Sequence, residues 1–249
     1  MSQLTEKDFL DIKDEIKDEI KDGRLSPDSV RFYLGVFMFF SALTVGIAFA
    51  VAASSSSAIG WENLSILWKS VFWLQAALFL FQLILIFLVR GKSNWTQMLL
   101  IISYVVYTYK MVLDPFVAMS MFAMNDGVYE TFLPIFVIVI IVGFLLHVYL
   151  IGRTFKELKI KKSKKKKKEK SGNIMYAFIP ILFLLVSITG YIIKNELLGE
   201  NEVLFGTGVF TFLYIAVMVG AVEFVMGAYC VIRFPSFRVN PPASQKKKA

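Results

Sequence analysis

Apolar positions in this chain run together rather than alternate. Six stretches are long enough to matter: Phe32–Ala53, Ser70–Val89, Asn94–Leu113, Phe132–Ile151, Ile174–Ile193 and Gly206–Ile232. Crossing the hydrocarbon core of a bilayer takes roughly 20 consecutive apolar residues, and a segment surrounded by lipid must satisfy its backbone groups internally. The pattern therefore predicts an all-α, polytopic transmembrane bundle of six spans. The third stretch is the weakest, because Lys110 interrupts it and Asp114-Pro115 follows directly. Its helix is expected to end there, with Lys110 snorkelling to the outer surface. The alternative is a longer, tilted or re-entrant element running on through the Met-rich stretch Phe116–Met124.

Polar segments divide the rest of the chain. Residues 1–25 carry Phe9, Ile12, Ile16 and Ile20 at helical spacing, and Lys-Asp-Glu-Ile occurs twice across residues 13–20. That predicts a charged amphipathic helix lying at the cytoplasmic ends of the spans or docking a partner. Ser26-Pro27 reads as the N-cap and first helical residue of span one. Spans one to four occupy residues 26–152, a polybasic loop residues 153–173, spans five and six residues 174–232, and a basic tail residues 233–249.

Charge then orients the bundle. With the N-terminus inside, 24 of the 27 Lys and Arg residues fall on the inner side, leaving Lys69, Lys110 and Lys194 on the outer. This is the positive-inside pattern, and it predicts cytoplasmic N- and C-termini. Five consecutive lysines, Lys164, Lys165, Lys166, Lys167 and Lys168, lie in the loop after span four. Beside an anionic leaflet each basic residue contributes about 1 kcal/mol, so this run is a candidate contact for lipid headgroups as well as a topology determinant. Nucleic-acid binding is not expected, since no aromatic platform is interleaved with the run.

Composition fits the same picture: 57% of residues are hydrophobic and 18% charged. More than thirty residues, many charged, precede the first apolar run, unlike a cleaved signal peptide. The sequons Asn63-Leu64-Ser65 and Asn94-Trp95-Thr96 are expected to stay unmodified. The ending Lys246-Lys247-Lys248-Ala249 has the spacing of a dilysine retrieval signal, which points to the endoplasmic reticulum in a eukaryote; in a bacterium the plasma membrane is expected.

Within the spans, Glu223 is the one acidic residue placed deep. Counting back from Arg233 puts it ~15 Å from the inner boundary at 1.5 Å per residue. A carboxyl there is expected to be protonated, or paired with a donor such as Gln75, Gln82 or His147. Ala216, Gly220, Glu223 and Gly227 share a helix face, and Ala42, Gly46 and Ala50 form a small-residue stripe on span one. Such stripes let helices approach closely, so spans one and six are expected to pack together. Gln75 and Gln82 share a face of span two, and His147 is expected to serve in helix packing rather than proton relay.

Chemistry-bearing motifs are missing. The chain has one His and one Cys, Cys230, and no HExxH, Walker A loop or dinucleotide fingerprint. No metal, cofactor or enzymatic activity is expected. The expected role is that of a non-catalytic membrane component, such as a complex subunit, scaffold, or assembly or protection factor. It would meet the lipid bilayer and either a protein partner or a second copy of itself. The alternative is a small transporter or channel, proton- or cation-coupled through Glu223. Its six-span layout with a preceding amphipathic helix resembles that of small ABC-type permease subunits.

Overall fold

The computed structural model describes residues 23–54, 59–89, 93–160 and 202–239. Within them the chain is all-helical: α1 (Pro27–Ala53), α2 (Ile66–Phe87), α3 (Asn94–Asn125), α4 (Tyr129–Ile160) and α5 (Glu202–Arg233), with short 3-10 turns at Trp61–Asn63 and Pro235–Phe237. All five long helices have the length and apolarity to cross a membrane. The protein is thus a membrane-embedded helical bundle. The expected span Ile174–Ile193, the amphipathic segment up to residue 22, the lysines Lys164–Lys168 and the C-terminal lysines Lys246–Lys248 lie outside the described residues.

Local chemistry sets the helix ends. Ser26, Ser65 and Ser93 cap α1, α2 and α3, their hydroxyl oxygens accepting from the backbone N–H of Ser29, Trp68 and Thr96. Each satisfies a donor that the first turn leaves without an intrahelical partner. Pro27 follows Ser26 at the first helical position, where its missing N–H costs nothing. The far end of α3 closes in a Schellman motif. Gly127 takes φ +72°, its N–H donates to the Met124 carbonyl at 3.2 Å, and the Val128 N–H donates to the Ala123 carbonyl at 2.9 Å. This turn hands the chain directly to α4.

Two helices overrun their expected ends. α3 does not stop at Asp114-Pro115 but continues to Asn125, 32 residues in all. At 1.5 Å per residue that is ~48 Å, against a hydrocarbon core of ~30 Å. Pro115 removes one backbone donor, yet neighbouring helices hold the segment in place, as membrane helices commonly allow. α4 runs past Ile151 into the segment expected to be loop, where Phe155 packs edge-on against Tyr229 of α5 with ring centroids 5.1 Å apart.

The centre of the bundle is α3. More than half of its apolar window is buried, 56%, whereas the corresponding shares for the other helices lie between 17% and 33%. It packs along α1 and α5 and also touches α4; α2 lies against α1, and α4 against α5. Its hydropathy is also the lowest of the five. A helix surrounded by protein can carry polar groups that a lipid-facing helix cannot.

Because α3 stands between them, α1 and α5 do not form the close pair expected from their small-residue stripes. Ala42, Gly46 and Ala50 point away from the described helices, and a side chain at Gly46 would meet nothing within 4 Å. On α5, Ala216 and Gly220 are half-buried, with open space beside Gly220, while Gly227 is buried against Leu25, in the segment that precedes α1. A different glycine makes the tightest helix–helix approach. Gly143 of α4 lies so close to the Tyr214 ring of α5 that a methyl group there would overlap it.

Candidate functional site: a buried ion pair on the central helix

Lys110 and Asp114 lie four residues apart on α3 and therefore on one face. Their side chains meet at 2.8 Å (Nζ to Oδ2) and are 7% and 1% exposed. Ser41 of α1 sits between them: the ammonium donates to its hydroxyl oxygen, and the hydroxyl donates to Asp114 Oδ2. Gln75 of α2 donates from Nε2 to Asp114 Oδ1 at 2.7 Å. The Phe79 ring of α2 lies under the Lys110 ammonium, 4.2 Å from centroid to Nζ, in cation–π geometry. Three helices thus converge on one pair of opposite charges.

The arrangement is self-consistent electrostatically. Either charge alone would be costly away from water, whereas together they form a net-neutral unit whose hydrogen bonds are shared among α1, α2 and α3. Lys110 therefore does not snorkel, contrary to the expectation from sequence. The Asp114 carboxylate and the Ser41 hydroxyl give its ammonium a polar destination within the bundle. Gln75 Oε1 is buried at the edge of this cluster and accepts no hydrogen bond among the described residues.

The other predicted polar residues separate into distinct places. Gln82 shares its helix face with Gln75 and is fully buried, but it donates to the Leu34 carbonyl of α1 at 2.8 Å. His147 of α4 uses both ring nitrogens, Nδ1 with the Met218 carbonyl of α5 and Nε2 with the Tyr109 hydroxyl of α3, each at 2.6 Å. A carbonyl can only accept, so Nδ1 carries a hydrogen, and in the neutral ring Nε2 accepts from Tyr109. His147 therefore joins α3, α4 and α5 on the side of α3 away from α2.

Glu223 is not among these groups. Its side chain is 54% exposed and pairs with Arg24 at 2.8 Å. Arg233 is not the last residue of the folded bundle. The chain beyond Arg233 turns back into the bundle: Phe237 is buried, and the Val239 N–H donates to Gln97 Oε1 of α3 at 2.9 Å. Leu25 and Arg24 meet α5 at Gly227 and Glu223, so this carboxylate lies level with the start of α1. None of Gln75, Gln82 and His147 serves as its partner.

What the sequence reading missed is the Lys110–Asp114–Ser41 constellation. The signal was present as opposite charges at i and i+4 inside the least apolar span. Among the described residues, no group of three His, Cys, Asp or Glu side chains is placed to hold a metal ion. Compared with protein-family models, with curated proteins and with solved structures, the chain matches none.

Proposed function

We propose that this chain is a non-catalytic integral membrane protein, a subunit, scaffold, or assembly or protection factor that acts through helix packing and its charged appendages. One observation supports the reading above others. Lys110, Asp114, Ser41, His147 and Tyr109, which could have lined a polar path, are instead bonded to one another or to a neighbouring helix. Both termini lie on the cytoplasmic side in this reading, supported by the placement of 24 of the 27 basic residues there. The host membrane is the endoplasmic reticulum in a eukaryote and the plasma membrane in a bacterium. The test is purification of the full chain in two unrelated mild detergents. A protein recovered at fixed stoichiometry in both is the expected result, and a lone monomer or homodimer in both argues against it.

A second reading, proton- or cation-coupled transport, draws on the same cluster. Ionisable residues within membrane spans often mark transport pathways, and Gln75 Oε1, buried beside the pair, accepts no hydrogen bond among the described residues. The coupling residue would be Asp114 with Lys110, rather than Glu223. Vesicles containing the reconstituted protein and an internal pH-sensitive dye separate the readings. Flux present in the wild type and absent in Asp114→Asn would replace the scaffold reading with this one.

A further inference from the structure

α4 and α5 run in the same direction. Their contacts climb together along both sequences: Tyr214 donates its hydroxyl to the Ile140 carbonyl at 2.9 Å, His147 Nδ1 donates to the Met218 carbonyl at 2.6 Å, and the Phe155 and Tyr229 rings meet at 5.1 Å between centroids. The chain therefore leaves α4 at one end of the bundle and begins α5 at the other. From the level of Tyr229 back to that of Glu202 is ~40 Å at 1.5 Å per residue, more than the ~30 Å hydrocarbon core. Residues 161–201, which make this return, hold one apolar stretch of membrane-crossing length, Ile174–Ile193.

We propose that Ile174–Ile193 crosses as a helix antiparallel to α4 and α5 and covers the open face of α5. A backbone passing through lipid must close its own hydrogen bonds, which makes a helix the form of the crossing. Connection lengths favour α5 over α4. Residues 194–201 reach at most ~30 Å when extended, whereas residues 161–173 reach ~45 Å, so the crossing stretch is tethered more closely to α5. The two open faces also differ. On α4, Ile138, Val142, Leu145 and Tyr149 form a continuous bulky surface suited to lipid chains. On α5, Leu204, Phe212 and Val219 stand beside Gly208 and Gly220, where an added side chain would meet nothing within 4 Å. Another helix can come close to the backbone there. Leu204–Glu223 and Ile174–Ile193 are each 20 residues long, and antiparallel alignment brings Leu185 level with Phe212. The pairing holds whichever side of the membrane is cytoplasmic, and it stands or falls separately from the subunit reading above.

The experiment is disulfide cross-linking of the full chain in membranes, in a Cys230→Ala background. Phe212→Cys on α5 is combined in turn with a change to Cys at each position from Leu184 to Thr189, and a protease site is inserted after Gly199. A second series replaces Phe212→Cys with Ile138→Cys, at the same depth on α4, and carries the protease site after Ser171. After oxidation and cleavage, a chain joined across the site keeps its full size on a non-reducing gel. Joining to position 212 is expected at positions three or four apart, as one helix face requires, and joining to position 138 should be weaker. Scanning six consecutive positions samples every face, so one variant that melts low does not decide the result. Failure to join position 212 anywhere in the scan overturns the proposal. So does stronger joining to position 138, or joining only between two chains, seen as a doubled mass. Lys170→Cys and Asn195→Cys, made singly, should react with an impermeant thiol reagent from opposite sides; reaction from the same side overturns the crossing itself.

Discussion

Lys110 and Asp114 lose different things when separated. Asp114→Leu leaves a buried ammonium with only the Ser41 hydroxyl and the Phe79 ring, whereas Lys110→Met leaves a carboxylate that Gln75 and Ser41 still serve. Removing one partner of a buried pair typically costs about 3–5 kcal/mol, and an apolar replacement of both often restores what either single change loses. We expect Asp114→Leu to fall at the upper end of that range, Lys110→Met lower, and the double variant to exceed Asp114→Leu in stability. Denaturant titration in detergent, read by intrinsic fluorescence, completes the cycle; a double variant no better than Asp114→Leu would mean the two charges are not coupled. Glu223 is expected to behave oppositely. Its pair with Arg24 is half-exposed, so Glu223→Gln should change stability by about 1 kcal/mol or less. The reason Glu223 drew attention in the sequence while Lys110 did not is geometric. Position along one helix follows from the distance to Arg233, but no count along a single helix reveals which face its neighbours cover.

Helices were legible to the extent that lipid-facing runs define them. Phe32–Ala53 and Ser70–Val89 anticipate α1 and α2 within a few residues, since apolar length and serine caps are local properties. α3 follows the longer of its two expected courses, for the converse reason. Lys110, Asp114 and Pro115 look like an ending when only the membrane is considered, and become an interior when Ser41 and Gln75 are known to face them. Two close approaches test the element-level picture. Gly143→Ala should destabilise the α4–α5 contact, because the Tyr214 ring it would strike is held by its hydroxyl bond to the Ile140 carbonyl at 2.9 Å. Trimming Tyr214 to Leu in the same chain should recover part of the loss, and a thermal melt of the four proteins decides it. At the α3–α4 turn, Gly127→Ala should cost about 1 kcal/mol, because φ +72° strains any residue with a side chain.

For the whole molecule, the proposed orientation gives an experiment that each helix end must satisfy. In a Cys230→Ala background, a single cysteine at Asn125 should react with an impermeant thiol reagent from outside, and cysteines at Ser163 and Ser244 should not. External labelling at Ser163 would reverse the assignment. The central placement of α3 bears also on how the bundle is made. On insertion scales Lys and Asp near the middle of a span each oppose entry by ~2.5–3.5 kcal/mol, so this segment is a poor client for the translocon by itself. Its polar partners, however, are encoded upstream: Ser41 on α1 and Gln75 on α2 leave the ribosome before Lys110 and Asp114 do. The order of synthesis thereby lets a waiting pair of helices receive the third, and a nascent chain lacking α1 and α2 should leave α3 outside the bilayer.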